Sequence, residues 1–197
     1  AQAGPGTSNP YGGKRVLVIG IDGLRPDALR QQVTTGNAPN IASLIANGTV
    51  TWNAYAGGTL GTPTQQPTIS GPGWASILTG TWTNRHNVVS NSTPSYEQPT
   101  VPGSYLASQA PHFARRLKES APATFVSSIS SWGWVEDYLI AAQPTWVDHH
   151  TKGIGSSYPT RDADVTTKAV AQLGSTDPDV MFIHFDQVDG AGHSSGF

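Results

Sequence analysis

The 197-residue sequence contains no cysteine. Disulfides, thiolate zinc sites and cysteine nucleophiles are therefore excluded, while the redox compartment is left open. Charge is sparse: only 12% of residues are Asp, Glu, Lys or Arg, and the net charge is −2. No basic stripe runs along the chain, so nucleic-acid backbone binding has little to rest on. No run of about 18 apolar residues occurs, which argues against a membrane-spanning helix. There is no internal repeat. A G-x-S-x-G elbow is also missing, which disfavours a serine hydrolase of the α/β-hydrolase kind.

What is present is organised around Val16-Leu17-Val18-Ile19-Gly20-Ile21-Asp22-Gly23. Five of the first six residues are apolar and mostly β-branched, the pattern of a strand buried on both faces in the middle of a parallel sheet. Val180-Met181-Phe182-Ile183-His184-Phe185-Asp186 repeats it near the other end. In such sheets the functional crevice lies beyond the carboxyl ends of the strands. Asp22 sits at that point, on a turn relaxed by Gly20 and Gly23.

Between these strands the pattern alternates. Helices are expected over 26–33, from Pro39 to a stop at Gly48, over 75–78 with Gly80 as terminator, and over 105–119, 134–142 and 160–173. Strands are expected over 49–55, 123–129 and 145–149, and a long polar segment over 81–103. The fold class is α/β, a mainly parallel β-sheet flanked by helices on both faces. Residues 1–13 read as a flexible Gly/Pro-rich lead-in and 14–197 as one domain, which at this length buries roughly 70% of its unfolded surface. The chain ends eleven residues after its last buried strand, with no helix left to cover it, which points to a C-terminal remainder of the same polypeptide. The Ala1-Gln2-Ala3 start and a composition rich in Gly, Thr, Ser, Asn and Pro, with few Lys, lean towards a secreted or periplasmic protein. Asn47-Gly48-Thr49 and Asn91-Ser92-Thr93 match the N-glycosylation acceptor, a pattern common by chance.

Four residues stand out for chemistry. Asp22 is either a turn carboxylate or a metal ligand. A phosphate-binding glycine loop is disfavoured, because Gly20-Ile21-Asp22-Gly23 is not G-x-G-x-x-G and a bare carboxylate repels phosphate without a cation between them. Ser70 lies where a loop enters a helix; it is a helix N-cap, a nucleophile, or both. A helix N-terminus there would favour a bound phosphate or sulfate group. Asp189 and His193 are four apart, a spacing for two metal ligands on one helical face, although Gly190 and Gly192 argue for a tight polar loop. Asp148-His149-His150 would lie on a strand with alternating faces, so it reads as structural or rim. His86, His112 and His184 read as core or structural histidines.

With these residues in view, the sequence resembles the alkaline phosphatase superfamily, and within it the type I phosphodiesterase/nucleotide pyrophosphatase group. The resemblance rests on Val16 to Asp27, Pro39-Asn40-Ile41, Pro67-Thr68-Ile69-Ser70, Ser76 to Gly80, Asn84-Arg85-His86 and Asp189 to His193, in the family's order. It implies metal-dependent hydrolysis of phosphate mono- or diesters, with a small-molecule phosphoester as substrate. It also implies two divalent metal ions, zinc, and a covalent phospho-seryl intermediate. Asp22 and the Ser70 nucleophile would bind one ion, Asp189 and His193 the other. Members usually carry Thr as nucleophile where this chain has Ser70. Three residues on, they often have an Asn that holds a phosphate oxygen; here it is Gly73. The group's later Asp-His pair and final His would lie beyond Phe197. Sulfatases of the superfamily, with an S-x-P-x-R signature, resemble Ser70-Gly71-Pro72-Gly73-Trp74 less well, because Trp74 stands in place of the Arg and Asp22-Gly23 in place of their Asp-Asp. A sulfatase or phosphonate hydrolase, or a non-catalytic ligand-binding fragment, remain the alternative readings.

Overall fold

The computed structural model describes residues 13–92 and 96–196. The lead-in expected over 1–13, apart from Gly13, lies outside the described residues, as does Thr93 of the second acceptor tripeptide. Four strands form one fully parallel sheet: β1 (Val16–Ile21), β2 (Val126–Ser130), β3 (His149–Lys152) and β4 (Val180–Phe185), in the order β1-β4-β2-β3.

The segment between β1 and β2 is the long one. It contains α1 (Pro26–Thr34), α2 (Pro39–Asn47), α3 (Ser70–Thr79), the single turn α4 (Thr83–His86) and α5 (Phe113–Ser120). Proline opens α1 and α2, where its missing N–H costs nothing. Gly80, at φ 67°, ends α3 in the left-handed conformation. A π-helical turn covers Val135–Ile140, and α6 (Tyr158–Ser175) and α7 (Gln187–Ser195) flank β4 in sequence. A reciprocal capping box between Ser157 and Thr160 starts α6.

The core lies on both faces of β2 and β4. On one face Trp74, Ala75 and Leu78 of α3, with Val135, Leu139 and Ile140, pack against Val126, Val180 and Phe182. On the other, Val165 and Ala169 of α6 pack against Ile129, Met181 and Ile183. Burying each large apolar side chain in these layers contributes about 1.5–3 kcal/mol.

Several expectations are corrected. β1 is not in the middle of the sheet: it is an edge strand paired only with β4, and Val16 and Ile19 remain 52% and 50% exposed. An apolar run specifies a strand that needs cover, not where its cover comes from; no residue of α1 or α2 is itself buried. Residues 49–55 are irregular rather than a strand. The helix expected over 105–119 is reduced to Phe113–Ser120, because Pro111 biases its predecessor away from helical geometry and the His112 side chain caps the new start. The strand expected over 145–149 moves to His149–Lys152, behind a short 3-10 turn at Pro144–Trp146. The tight loop expected at Gly190 and Gly192 is the helix α7. Among the described residues, no helix is long and apolar enough to cross a membrane.

Candidate active site

The in-register pairing of β1 with β4 matches Ile21 to Phe185, so Asp22 and Asp186 emerge side by side at the carboxyl edge of the sheet. The backbone N–H of Asp22 donates to the Phe185 carbonyl at 2.9 Å and fixes that step. The Asp22 carboxylate is then held on both oxygens. Oδ1 accepts from Gly23 N at 2.9 Å, and Oδ2 accepts from the Trp74 indole Nε1 at 2.9 Å. Trp74 reaches it from α3 by passing beneath Gly20, and its ring meets His184 edge-on at 4.5 Å.

His184, read from sequence as a satisfied core histidine, is fully buried but not satisfied: its Nε2 has no hydrogen-bond partner. Its Nδ1 accepts from Trp132 N at 3.4 Å, so the ring proton sits on Nε2, which faces Asp22 Oδ2 at 3.8 Å. That separation exceeds a hydrogen bond, so the contact is an oriented N–H dipole rather than a bond. Burial alone would push the Asp22 carboxyl up; the donors His184, Trp74 and Ser70 outweigh it and hold the group below the ordinary carboxylate range.

Two further carboxylates close in. Burial raises Asp186 to about 6, and repulsion from Asp22 and Asp189 adds to this. Asp189 is raised as well, by burial and then by Asp22, with His193 opposing. Asp189 and His193 lie on one face of α7, His193 Nε2 being 3.3 Å from Asp189 Oδ2. Gly23 lets the turn after β1 approach them: at φ 68°, a Cβ there would come within 2.6 Å of the Asp189 Cα.

Asp22, Ser70, Asp189 and His193 line one cavity of about 680 Å³, together with Gly73, Trp74 and Asn91. Ser70 is the first residue of α3, behind an N-cap Ile69 that supplies no side-chain cap, and its hydroxyl donates towards the Asp22 carboxylate. The following backbone donors are committed or missing. Gly71 N donates to Asn91 Oδ1 at 2.7 Å, Pro72 has none, and Gly73 N donates to the Ile69 carbonyl at 3.1 Å. Because Gly71 N is a donor, Asn91 presents its oxygen to the helix, and its amide Nδ2 has no partner among the described residues. Sequence reasoning missed Asn91, Trp74 and Asp186 as site residues.

His86, His112 and His150 belong to the framework. His86 Nδ1 accepts from Val88 N at 3.0 Å, so its Nε2 donates to Ser76 Oγ and cannot act as that serine's base. His112 caps α5, Asp148 binds Lys118, and His150 faces Glu136 at 3.6 Å. None of them lines the cavity.

Three converging carboxylates with imidazoles and a hydroxyl make a donor set suited to a divalent cation. Ligand atoms of Asp22, His184 and Asp186 also lie within 4.8 Å of one another. The Nε2–H tautomer makes His184 a donor towards Asp22 in this arrangement.

The family model for type I phosphodiesterase/nucleotide pyrophosphatase matches residues 16–197. The chain belongs to this family. No curated protein sequence matches it significantly. Among solved structures, the family fold recurs in phosphonoacetate hydrolase from Sinorhizobium meliloti 1021 in complex with phosphonoacetate, with a TM-score of 0.62 and 16% identity over 93% of this chain and 49% of that one. Murine ectonucleotide pyrophosphatase/phosphodiesterase 5, an inactive variant in complex with AMP, gives 0.58 and 18% over 93% and 46%. This phosphodiesterase-family chain therefore spans about half the length of the structures it matches.

Proposed function

We propose that residues 14–197 form the N-terminal portion of an alkaline phosphatase-like catalytic domain that hydrolyses small-molecule phosphate mono- or diesters through a phospho-seryl intermediate. The observation that carries this reading is the meeting of Asp22, Ser70, Asp189 and His193, from three distant parts of the sequence, in one cavity beyond the carboxyl edge of the sheet. Asp22 and Ser70 would hold one divalent cation, Asp189 and His193 a second, with zinc favoured by the oxygen and imidazole donors. Burial, and after it repulsion between the carboxylates, raises Asp186 and Asp189, an imbalance such cations relieve. When bound, the ions lower the pKa of a coordinated hydroxyl or water and offset negative charge on the phosphoryl oxygens.

Ser70 Oγ gives up its proton and forms a bond to phosphorus as the ester P–O bond breaks. The leaving-group oxygen takes up a proton. Water then adds to the phosphorus of the seryl ester, releasing the phosphate product and restoring the Ser70 hydroxyl. Asn91 Nδ2 donates to a phosphoryl oxygen, the role that the Gly73 position does not fill. Trp74 and His184 keep the Asp22 carboxylate ionised and oriented. The low Lys content and Gly/Thr/Ser/Asn-rich composition support a secreted or periplasmic setting, which fractionation of the source cells would test.

The test is release of nitrophenol from bis(p-nitrophenyl) phosphate by the full-length protein. Ser70→Ala is expected to lose about 10³-fold or more in turnover while the cation held by Asp189 and His193 stays bound. Full turnover in that variant rejects Ser70 as the nucleophile. Sulfate and phosphonate esters assayed under the same conditions separate this activity from its superfamily relatives.

A further inference from the structure

The helix that carries Asp189 and His193 is capped from outside. Asp186, the N-cap residue of α7, makes no side-chain cap of its own. The backbone donors at this end go instead to the carboxylate of Asp162 on α6: Asp186 N at 3.1 Å and Gln187 N at 3.0 Å. A second contact lies one turn along. A Cβ on Gly190 would sit 2.5 Å from the Tyr158 ring, so the start of α6 and the middle of α7 touch with no room for a side chain. Gly190 is the only residue of α7 that is buried. The helix is thus anchored against α6 by one glycine face and one carboxylate.

The rotation of α7 about its own axis decides where Asp189 and His193 point. Both lie within two turns of the cap, and Asp189 abuts the Gly23 turn that follows Asp22. We propose that Asp162 is a positioning residue: by holding the N–H groups of the N-cap and the first residue of α7 it orients the Asp189–His193 pair towards Asp22 and Ser70. This rests on the metal-site reading given above. Asp162 does not line the cavity, so its effect passes through the helix and not through contact with substrate or ion. A cap that served stability alone would lower the unfolding midpoint and leave metal coordination unaltered.

The experiment uses the full-length protein with Asp162→Ala, Asp162→Asn, Asp189→Ala and, as a control for lost charge on α6, Asp164→Asn, whose native carboxylate engages Ile154 N and Lys168 instead. Zinc affinity is measured by competition with a chromophoric chelator, and coordination by the visible absorption of the cobalt(II)-substituted protein. Asp162→Ala is expected to weaken zinc binding about 10–100-fold, the usual effect of losing an outer-shell partner, and to alter the cobalt spectrum. Asp162→Asn, which keeps one acceptor oxygen, falls between it and the parent, and Asp164→Asn matches the parent. If Asp162→Ala does not fold, the Asp162→Asn result decides. Parental affinity and spectrum at position 162, with a loss in Asp189→Ala, overturn the positioning role alone. Unchanged binding in Asp189→Ala as well overturns the metal assignment, and this inference with it.

Discussion

The missing side chain of Gly20 is the space taken by the indole of Trp74: a Cβ at residue 20 would lie 2.3 Å from Trp74 Cη2 and 2.6 Å from Cζ3. Neither neighbour can yield easily, since Gly20 is paired in β1 and Trp74 is 5% exposed against Phe182 and His184. Gly20→Ala is therefore expected to cost about 1–3 kcal/mol, the usual range for overpacking a filled core. Denaturant unfolding of the full-length protein measures it, and a loss below about 0.5 kcal/mol would show that the indole moves aside freely.

Trp74→Phe isolates the polar half of that contact. The ring face persists, but Asp22 Oδ2 loses its 2.9 Å donor. Asp22 titrates below its ordinary value in the folded protein, so its contribution to stability is present above the unfolded pKa of 3.8 and lost as pH falls through the folded one. Weakening it should add about 1 kcal/mol near neutral pH to the packing cost of the smaller ring, and that added part should vanish in acid. A cost that stays constant from pH 7 down to pH 3 would assign the effect to packing instead.

Asn91→Ala removes the one amide that lines the cavity beside Ser70. If Nδ2 donates to a phosphoryl oxygen, kcat/KM should fall about 10²-fold, the scale of losing one oriented donor. Asn91→Asp keeps the acceptor for Gly71 N but sets a negative charge where the amide was, so it should be the poorer enzyme of the two. Near-parental kcat/KM in both variants would remove Asn91 from the site.

Much of this arrangement was legible because strand ends and residue types can be read locally. Asp22 follows an unmistakable strand, Ser70 opens a helix stopped by Gly80, and Asp189 and His193 keep helical spacing. The fold class followed from the alternation of elements, and the sheet is parallel throughout. What was not legible depends on distant partners. The apolar run of β1 has the same pattern whether its faces are covered or, as here, left at the sheet edge. Gly190 suggests a loop until Tyr158 is seen to fill its space, and α7 holds its first turn through a carboxylate 24 residues earlier. Asn91 lies in a polar segment where nothing local sets it apart from its neighbours. Trp74 reads as the wrong residue in a sulfatase signature until its indole nitrogen is found on Asp22.

Glu136 offers a pH dependence separate from the cavity. It sits in the π-helical turn, 2% exposed, and its Oε1 accepts from Ser128 and Ser130 at 2.6 and 2.8 Å. Oε2 has no hydrogen-bond partner and faces His150 Nδ1 at 3.6 Å. Burial raises the carboxyl from an ordinary value of 4.5 to about 7, against the opposing pull of the two serines. The folded protein thus holds this proton more tightly than the unfolded chain does. The resulting stability is complete below pH 4.5 and is lost as pH rises to about 7, on the order of 3 kcal/mol in all. Glu136→Gln keeps the Oε1 acceptor for both serines and has no proton to lose. It should match the parent near pH 4.5 and exceed it progressively up to pH 8 in denaturant midpoints. Parallel stability curves for the two proteins across that range would mean that the buried carboxyl does not titrate there.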